Sequence, residues 1–170
     1  MARVAFIVTT CHEFEGVKVL SSVLKTAGHQ TDRFITTEVR DSTGAVVRWR
    51  PDVIGIYATT GQEEWARPHV QKWRRELPHL KVIMGGPHPS FDSGNLHDPE
   101  YVDAITRGEA EYAMLDLVEA WAAGRSIADI ANVGSLQNGE ALVNQMRQAS
   151  QGLEPLPLPT VNRVCEYALR

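Results

Sequence analysis

The sequence predicts an α/β protein. We expect a doubly wound, parallel, five-stranded sheet with a small β-hairpin near the C-terminus. Three observations carry that expectation. Continuous runs of β-branched and aromatic residues recur, such as Arg3 to Thr9 and Val53 to Ala58, the kind buried on both faces of a parallel sheet. These runs alternate with amphipathic helical stretches five times, the pattern of crossover-connected parallel strands. The loops that follow them, residues 9–16, 58–62, 85–90 and 107–112, all contain glycine. In such sheets ligands sit outside the carboxyl ends of the strands, where the strand order reverses. The expected order is 2-1-3-4-5, with the switch between strands 1 and 3.

Each element has a local reason. After the first strand comes the polar loop Thr10-Cys11-His12-Glu13-Phe14-Glu15-Gly16. A helix follows, with Val17, Leu20, Leu24 and Ala27 on one face and Gly28 placed to end it. The second strand is expected near Gln30 to Thr36, and a weak helix over Asp41 to Arg50. Val53 to Ala58 is the third strand. Thr60 with Glu63 fits a capping box, so a helix is expected from Thr60; Pro68 inside it either kinks it or marks its true start. Trp65, Val70, Trp73 and Leu77 form its expected inner face. Leu80 to Met84 is the fourth strand, and Ser90 to Glu100 a polar loop. Val102 to Thr106 is the fifth strand. A helix then presents Ala110, Ala113, Met114, Leu117, Val118 and Trp121, with Gly124 at its end. Asn138-Gly139 between apolar triplets signals the hairpin, about residues 132–145. Residues 1–152 are read as one domain, and the proline-rich stretch from 153 to 170 as an extended linker or tail.

Composition narrows the function. Of 170 residues, 43% are hydrophobic, enough for a core in a chain of one domain. No apolar run approaches the roughly 18 residues of a membrane span, and no basic-then-apolar leader opens the chain; a cytoplasmic protein without membrane contact is expected. The net charge of −4 comes from well-mixed signs and suggests no nucleic-acid surface. Cys11 and Cys165 form no metal-binding spacing, and no metal site is expected.

The stretch that organises the chain is Val82-Ile83-Met84-Gly85-Gly86-Pro87-His88-Pro89. A buried strand ends in two glycines, whose missing Cβ atoms let a flat ligand approach the backbone. The prolines are expected to stiffen an extended exit. Ala58, Thr59, Thr60 and Gly61 form a second wall, with hydroxyls suited to a polar ligand group. Gly108, Glu109 and Glu111 form a third, although the two acids also suit the first turn of a helix. The Trp65–Trp73 pair is read as core. His29, His69, His79 and His97 are read as surface residues.

Together these stretches resemble a known family. PDVIGIYATT (51–60), VIMGGPHPSF (82–91) and ITRGEAE (105–111) are similar to the cobalamin-binding domain that precedes the catalytic barrel in many radical S-adenosylmethionine enzymes. The likeness covers roughly residues 3–160, hairpin and LPLP stretch included. It implies a flavodoxin-like, Rossmann-like fold with the corrinoid's nucleotide tail in a groove beside the sheet. It also implies cofactor contacts from Thr10, Cys11, His12, Glu13, Gly16, Ala58, Thr59, Thr60, Gly61, Gly85, Gly86, Pro87, His88, Gly108, Glu109 and Glu111.

Two departures shape the expectation. Methyl-carrying cobalamin domains have DxHxxG after the first strand, where the histidine ligates cobalt. Alignment on Gly16 puts Glu13 at the histidine position and Cys11 at the aspartate position, and His12 is one residue off. Cobalamin is therefore expected base-off, with no protein histidine on cobalt. The iron–sulfur motif CxxxCxxC is absent, so an iron–sulfur cluster and S-adenosylmethionine would sit on a separate domain or partner, a radical S-adenosylmethionine barrel in cis or in trans. These residues are not expected to be catalytic by themselves. Two alternatives stay open: a stand-alone cobalamin carrier or sensor, and another flavodoxin-like ligand-binding or signalling domain. Against the latter, the first loop lacks both a phosphate cradle and GxGxxG, and no acidic pair ends the first strand.

Overall fold

The computed structural model describes residues 1–9, 15–36, 41–61, 63–148 and 156–159. Strands β1 (Arg3–Val8), β2 (Gln30–Ile35), β3 (Val53–Tyr57), β4 (Lys81–Gly85) and β5 (Ala104–Thr106) run parallel. The hairpin β6 (Val133–Gln137) and β7 (Glu140–Val143) adds antiparallel to β5. The order is β2-β1-β3-β4-β5-β6-β7. The expected 2-1-3-4-5 order is therefore found, and the hairpin extends the same sheet to seven strands. Asn138 and Gly139 turn the hairpin with φ of 52° and 86°, the left-handed pair that a two-residue turn needs.

Helices cover both faces. On one face α1 (Glu15–Thr26) and α5 (Glu111–Ala122) bury Val17, Leu24, Met114, Leu117 and Val118 against Val4, Phe6, Val8 and Ile83. On the other, α2 (Ser42–Trp49) and α3 (Arg67–Glu76) bury Val46, Val70 and Trp73 against Ile7, Ile54, Ile56 and Met84. Alternation along each strand makes this division, because successive side chains leave opposite faces. Gly28 and Gly124 end α1 and α5 with positive φ. No helix among the described residues is long and apolar enough to cross a membrane.

Three local expectations are corrected. Of the two starts left open for the third helix, the one at Pro68 is found and the one at Thr60 is not: it begins at Arg67 with Pro68 in its first turn, where proline's fixed φ and missing N–H suit the place. Arg67 is fixed there by ion pairs to Glu64 and Asp98 and lies 4.2 Å over the Tyr101 ring. The exit after Gly86 is not extended: Pro87–Phe91 forms a short helix, α4, and Gly94–His97 a 3-10 turn. His29 is buried, 8% exposed, and its Nδ1 accepts the Ala2 amide at 3.1 Å. His69 is half-buried, bonding Thr43 Oγ1 at 2.9 Å and stacking on Trp73. His79 is exposed as expected. The 153–170 stretch lies outside the described residues apart from 156–159.

His29 carries a pH prediction. Desolvation by burial, then the nearby amino terminus, lowers its pKa below the ordinary value, against a smaller opposing effect of Glu119. The unfolded chain thus binds the proton more readily. Stability is fully present above about pH 6.5, the unfolded value, and is lost as pH falls below it. Urea midpoints are expected to drop between pH 7.5 and pH 5. Replacing His29 by Gln should flatten that drop. His69, lowered by burial and then by Lys72, contributes with the same sign.

Candidate functional site: a glycine-lined groove

The switch between β1 and β3 opens a groove on the α1/α5 face, at the carboxyl ends of the strands. Its volume is about 490 Å³. Phe6, Gly55, Tyr57 and Gly85 make the floor, Gly16, Val17 and Leu20 one wall, and Ala110 and Met114 the other. Register explains the floor. Gly55 pairs with Phe6, and Gly85 with Tyr57, so each glycine lies beside an aromatic residue of the adjacent strand. A Cβ on Gly55 would stand 3.2 Å from the Phe6 ring and 3.3 Å from the Met114 methyl. One on Gly85 would stand 2.8 Å from Thr106 Oγ1.

Gly86 turns the chain with φ 103° and ψ −168°, a region open essentially to glycine alone. Its Cβ position lies 2.8 Å from the Ala58 carbonyl oxygen and 3.1 Å from the Tyr57 ring. The loops after β3 and β4 touch there. Ala58 N donates to Gly85 O at 2.9 Å, and His88 N donates to Ala58 O at 3.1 Å.

Ser90 ties the β4 exit to the β5 exit. Its Oγ donates to Gly86 O at 3.0 Å and accepts from Gly108 N at 3.2 Å. The Arg107 guanidinium reaches Ser90 O through Nε and Nη2, each at 3.3 Å. The mouth is acidic. Glu15, Glu109 and Glu111 stand on it, and no lysine or arginine is among the described lining residues. Glu15 is paired with Lys18 at 3.0 Å.

Of the residues expected at the site, Gly16, Gly85, Gly86, Gly108, Glu109 and Glu111 line this one groove. Thr10, Cys11, His12 and Glu13 lie outside the described residues. Ala58 is buried beneath the rim, whereas Thr59, Thr60 and Gly61 continue into a turn beyond the groove lining. Pro87 is exposed at the start of α4. His88 is 4% exposed and does not line the groove. Sequence reasoning missed Phe6, Leu20, Gly55, Tyr57 and Met114, which read only as core. It also missed Ser90, for which a serine at the end of the glycine-bearing loop was the available signal.

Comparison with known proteins adds the family. The B12 binding domain family matches residues 4–118. An uncharacterized methyltransferase of Pyrococcus horikoshii is 28% identical over 116 residues, which are 68% of this chain and 25% of that protein. The anaerobic magnesium-protoporphyrin IX monomethyl ester cyclase of Rubrivivax gelatinosus is 32% identical over 119 residues, 66% of this chain and 21% of that protein. The chain thus spans about a quarter of the length of these relatives or less. Among solved structures, the radical S-adenosylmethionine methyltransferase TsrM of Kitasatospora setae, with cobalamin and a [4Fe-4S] cluster bound, superposes with a TM-score of 0.73. That match is 17% identical and covers 88% of this chain and 30% of TsrM; at that identity it establishes the fold. With the fold, the groove at the strand switch and a family match spanning most of the folded part in hand, the chain belongs to the B12-binding domain family.

Proposed function

We propose that this chain holds cobalamin base-off, with no protein histidine on cobalt, and presents it to a radical S-adenosylmethionine domain in the same or another chain. There it would serve a methyl transfer or radical reaction. The observation that carries this reading is the glycine-lined groove. Gly16, Gly55 and Gly85 withhold side chains from a space walled by Phe6, Leu20, Tyr57 and Met114. That shape and polarity suit an uncharged aromatic base, which gains by leaving water.

The acidic mouth supports the same cofactor. Carboxylates only accept hydrogen bonds, and the corrin periphery is rich in amide N–H donors. A flavin mononucleotide, with its phosphate, calls for a cation or a cluster of free amides; the described lining offers no cation. Glu13 and Cys11 at the aligned motif positions support the absence of a histidine ligand. When bound, cobalamin supplies the cobalt centre, and the chemistry is the cofactor's. The chain's own residues bind and orient. Gly55 and Gly85 let the tail approach the sheet, Met114 and Leu20 exclude water from it, and Glu109 and Glu111 accept from the periphery.

The test is reconstitution. Purified protein is mixed with hydroxocobalamin and desalted. Retained red-orange colour with a base-off spectrum is expected, and colourless protein overturns the reading. After reduction to Co(II), the electron paramagnetic resonance spectrum should lack nitrogen superhyperfine splitting. Such splitting would put a nitrogen on cobalt, from a histidine or from the cofactor's own base, and would overturn this part of the reading. A CxxxCxxC segment encoded after Arg170, or in an adjacent gene, is expected for the partner domain.

A further inference from the structure

The loop that closes the groove at β5 is also the wall of a second cavity. Gly108, Glu109 and Glu111 line the groove, and they equally line a crevice of about 360 Å³ whose far side is Asn132, Met146, Arg147 and Gln148. A Cβ on Gly108 would stand 3.5 Å from Met146 Sδ and 3.7 Å from Asn132 Nδ2. The loop is therefore a wall shared by the two spaces.

Asn132 sits at this junction, 3% exposed and with φ 67°. Its Nδ2 donates to the Arg107 carbonyl at 2.9 Å and to the Glu109 carbonyl at 3.0 Å. Its Oδ1 accepts the Arg147 amide at 2.6 Å. Its backbone spans the same gap, for Arg107 N donates to Asn132 O and Asn132 N to Gln145 O. Arg147 also pairs with Asp116 on α5. One buried amide thus joins the groove's rim to residues 144–148, the chain on its way out of the sheet.

The geometry points to Asn132 as a positioning residue that couples occupancy of the groove to the order of residues 144–148. This inference rests on the reading that the groove takes the nucleotide tail of cobalamin. A ligand against Gly108 and Glu109 fixes the two carbonyls to which Nδ2 donates. The same amide plane then fixes Oδ1 beneath Arg147 N, since the two ends of a planar amide cannot turn independently. The coupling is reciprocal: whatever holds 144–148 in place, a following domain included, tightens the hold on the tail. Such couplings amount to about 5- to 150-fold in affinity.

Hydrogen–deuterium exchange on the full chain tests this, without ligand, with hydroxocobalamin, and with diaquacobinamide, which lacks the nucleotide tail. Cobalamin is expected to slow exchange across residues 144–148 about tenfold, and cobinamide to leave it unchanged. Asn132→Gly keeps access to the positive φ and to the backbone bonds. It should still retain cobalamin by its visible spectrum, yet show no slowing at 144–148. Asn132→Asp, which keeps an acceptor for Arg147 N but cannot donate to the rim carbonyls, should uncouple in the same way. The inference is overturned if bound cobalamin leaves 144–148 unchanged, if cobinamide protects as well as cobalamin, or if both variants transmit protection like the parent. If the parent retains no cobalamin at all, the spectrum shows it first. In that case the functional reading falls, and the coupling with it.

Discussion

Replacing Gly16 by Leu is expected to weaken cobalamin binding at least a hundredfold and to leave the ligand-free fold as stable as before, or more so. Gly16 lies in the first turn of α1 on the groove wall, and a Cβ there meets nothing within 4 Å among the described residues. A leucine side chain there has room to enter the groove without a clash with the described residues. Burying a ring-sized group removes about 150 Å² or more from water, worth about 4 kcal/mol. Losing most of that contact corresponds to the hundredfold, about 2.8 kcal/mol. Meanwhile leucine is a better helix former than glycine by up to about 1 kcal/mol. Affinity read from a cobalamin titration and stability read from a thermal melt should move in opposite directions. Affinity within threefold of the parent would mean that the ligand lies elsewhere.

Gly86→Ala should do the reverse: it damages the fold itself. At φ 103° an alanine is strained by about 1–3 kcal/mol. Its Cβ would also press on the Ala58 carbonyl at 2.8 Å, an oxygen already engaged by His88 N. Relief requires separating the loops after β3 and β4. A loss of about 3 kcal/mol corresponds to a fall in Tm of roughly 6–12 °C for a chain of this size, seen without any ligand. A variant melting within 2 °C of the parent would show that the turn adjusts freely and that its glycine serves only the ligand.

Much of the fold was legible because the signals were local and mutually consistent. Continuous apolar runs, glycine stops after Thr26 and Ala122, and the Asn138-Gly139 pair each specify their own element. Gly85-Gly86 was legible as a rim for the same reason. The groove's floor was not. Phe6 and Tyr57 belong to strands apolar throughout, and a period of two does not say which face holds a cavity until neighbouring strands set the register. The start of α3 shows competition between signals. Thr60 and Glu63 make a capping pattern, but Pro68 fits the first turn better, and Arg67 brings ion pairs and an aromatic contact that no local pattern contains. The helix at Pro87–Phe91 was obscured by its two prolines. His88 precedes Pro89 yet is helical, held by its amide's bond to Ala58 O. His29 reads as a surface residue and Asn132 carries no signal in the sequence, because their partners, Ala2, Arg107 and Arg147, lie far along the chain.

The groove draws its floor from Phe6 near the beginning of the chain and its last wall from Met114, more than halfway along. On the proposed reading of this groove, no product that ends before Met114 contains the whole cradle. A nascent chain would therefore load corrinoid only after α5 has emerged and docked. Because only the finished fold binds, captured vitamin adds its binding free energy to resistance against unfolding and proteolysis. Cells starved of the vitamin should clear this protein faster than cells supplied with it.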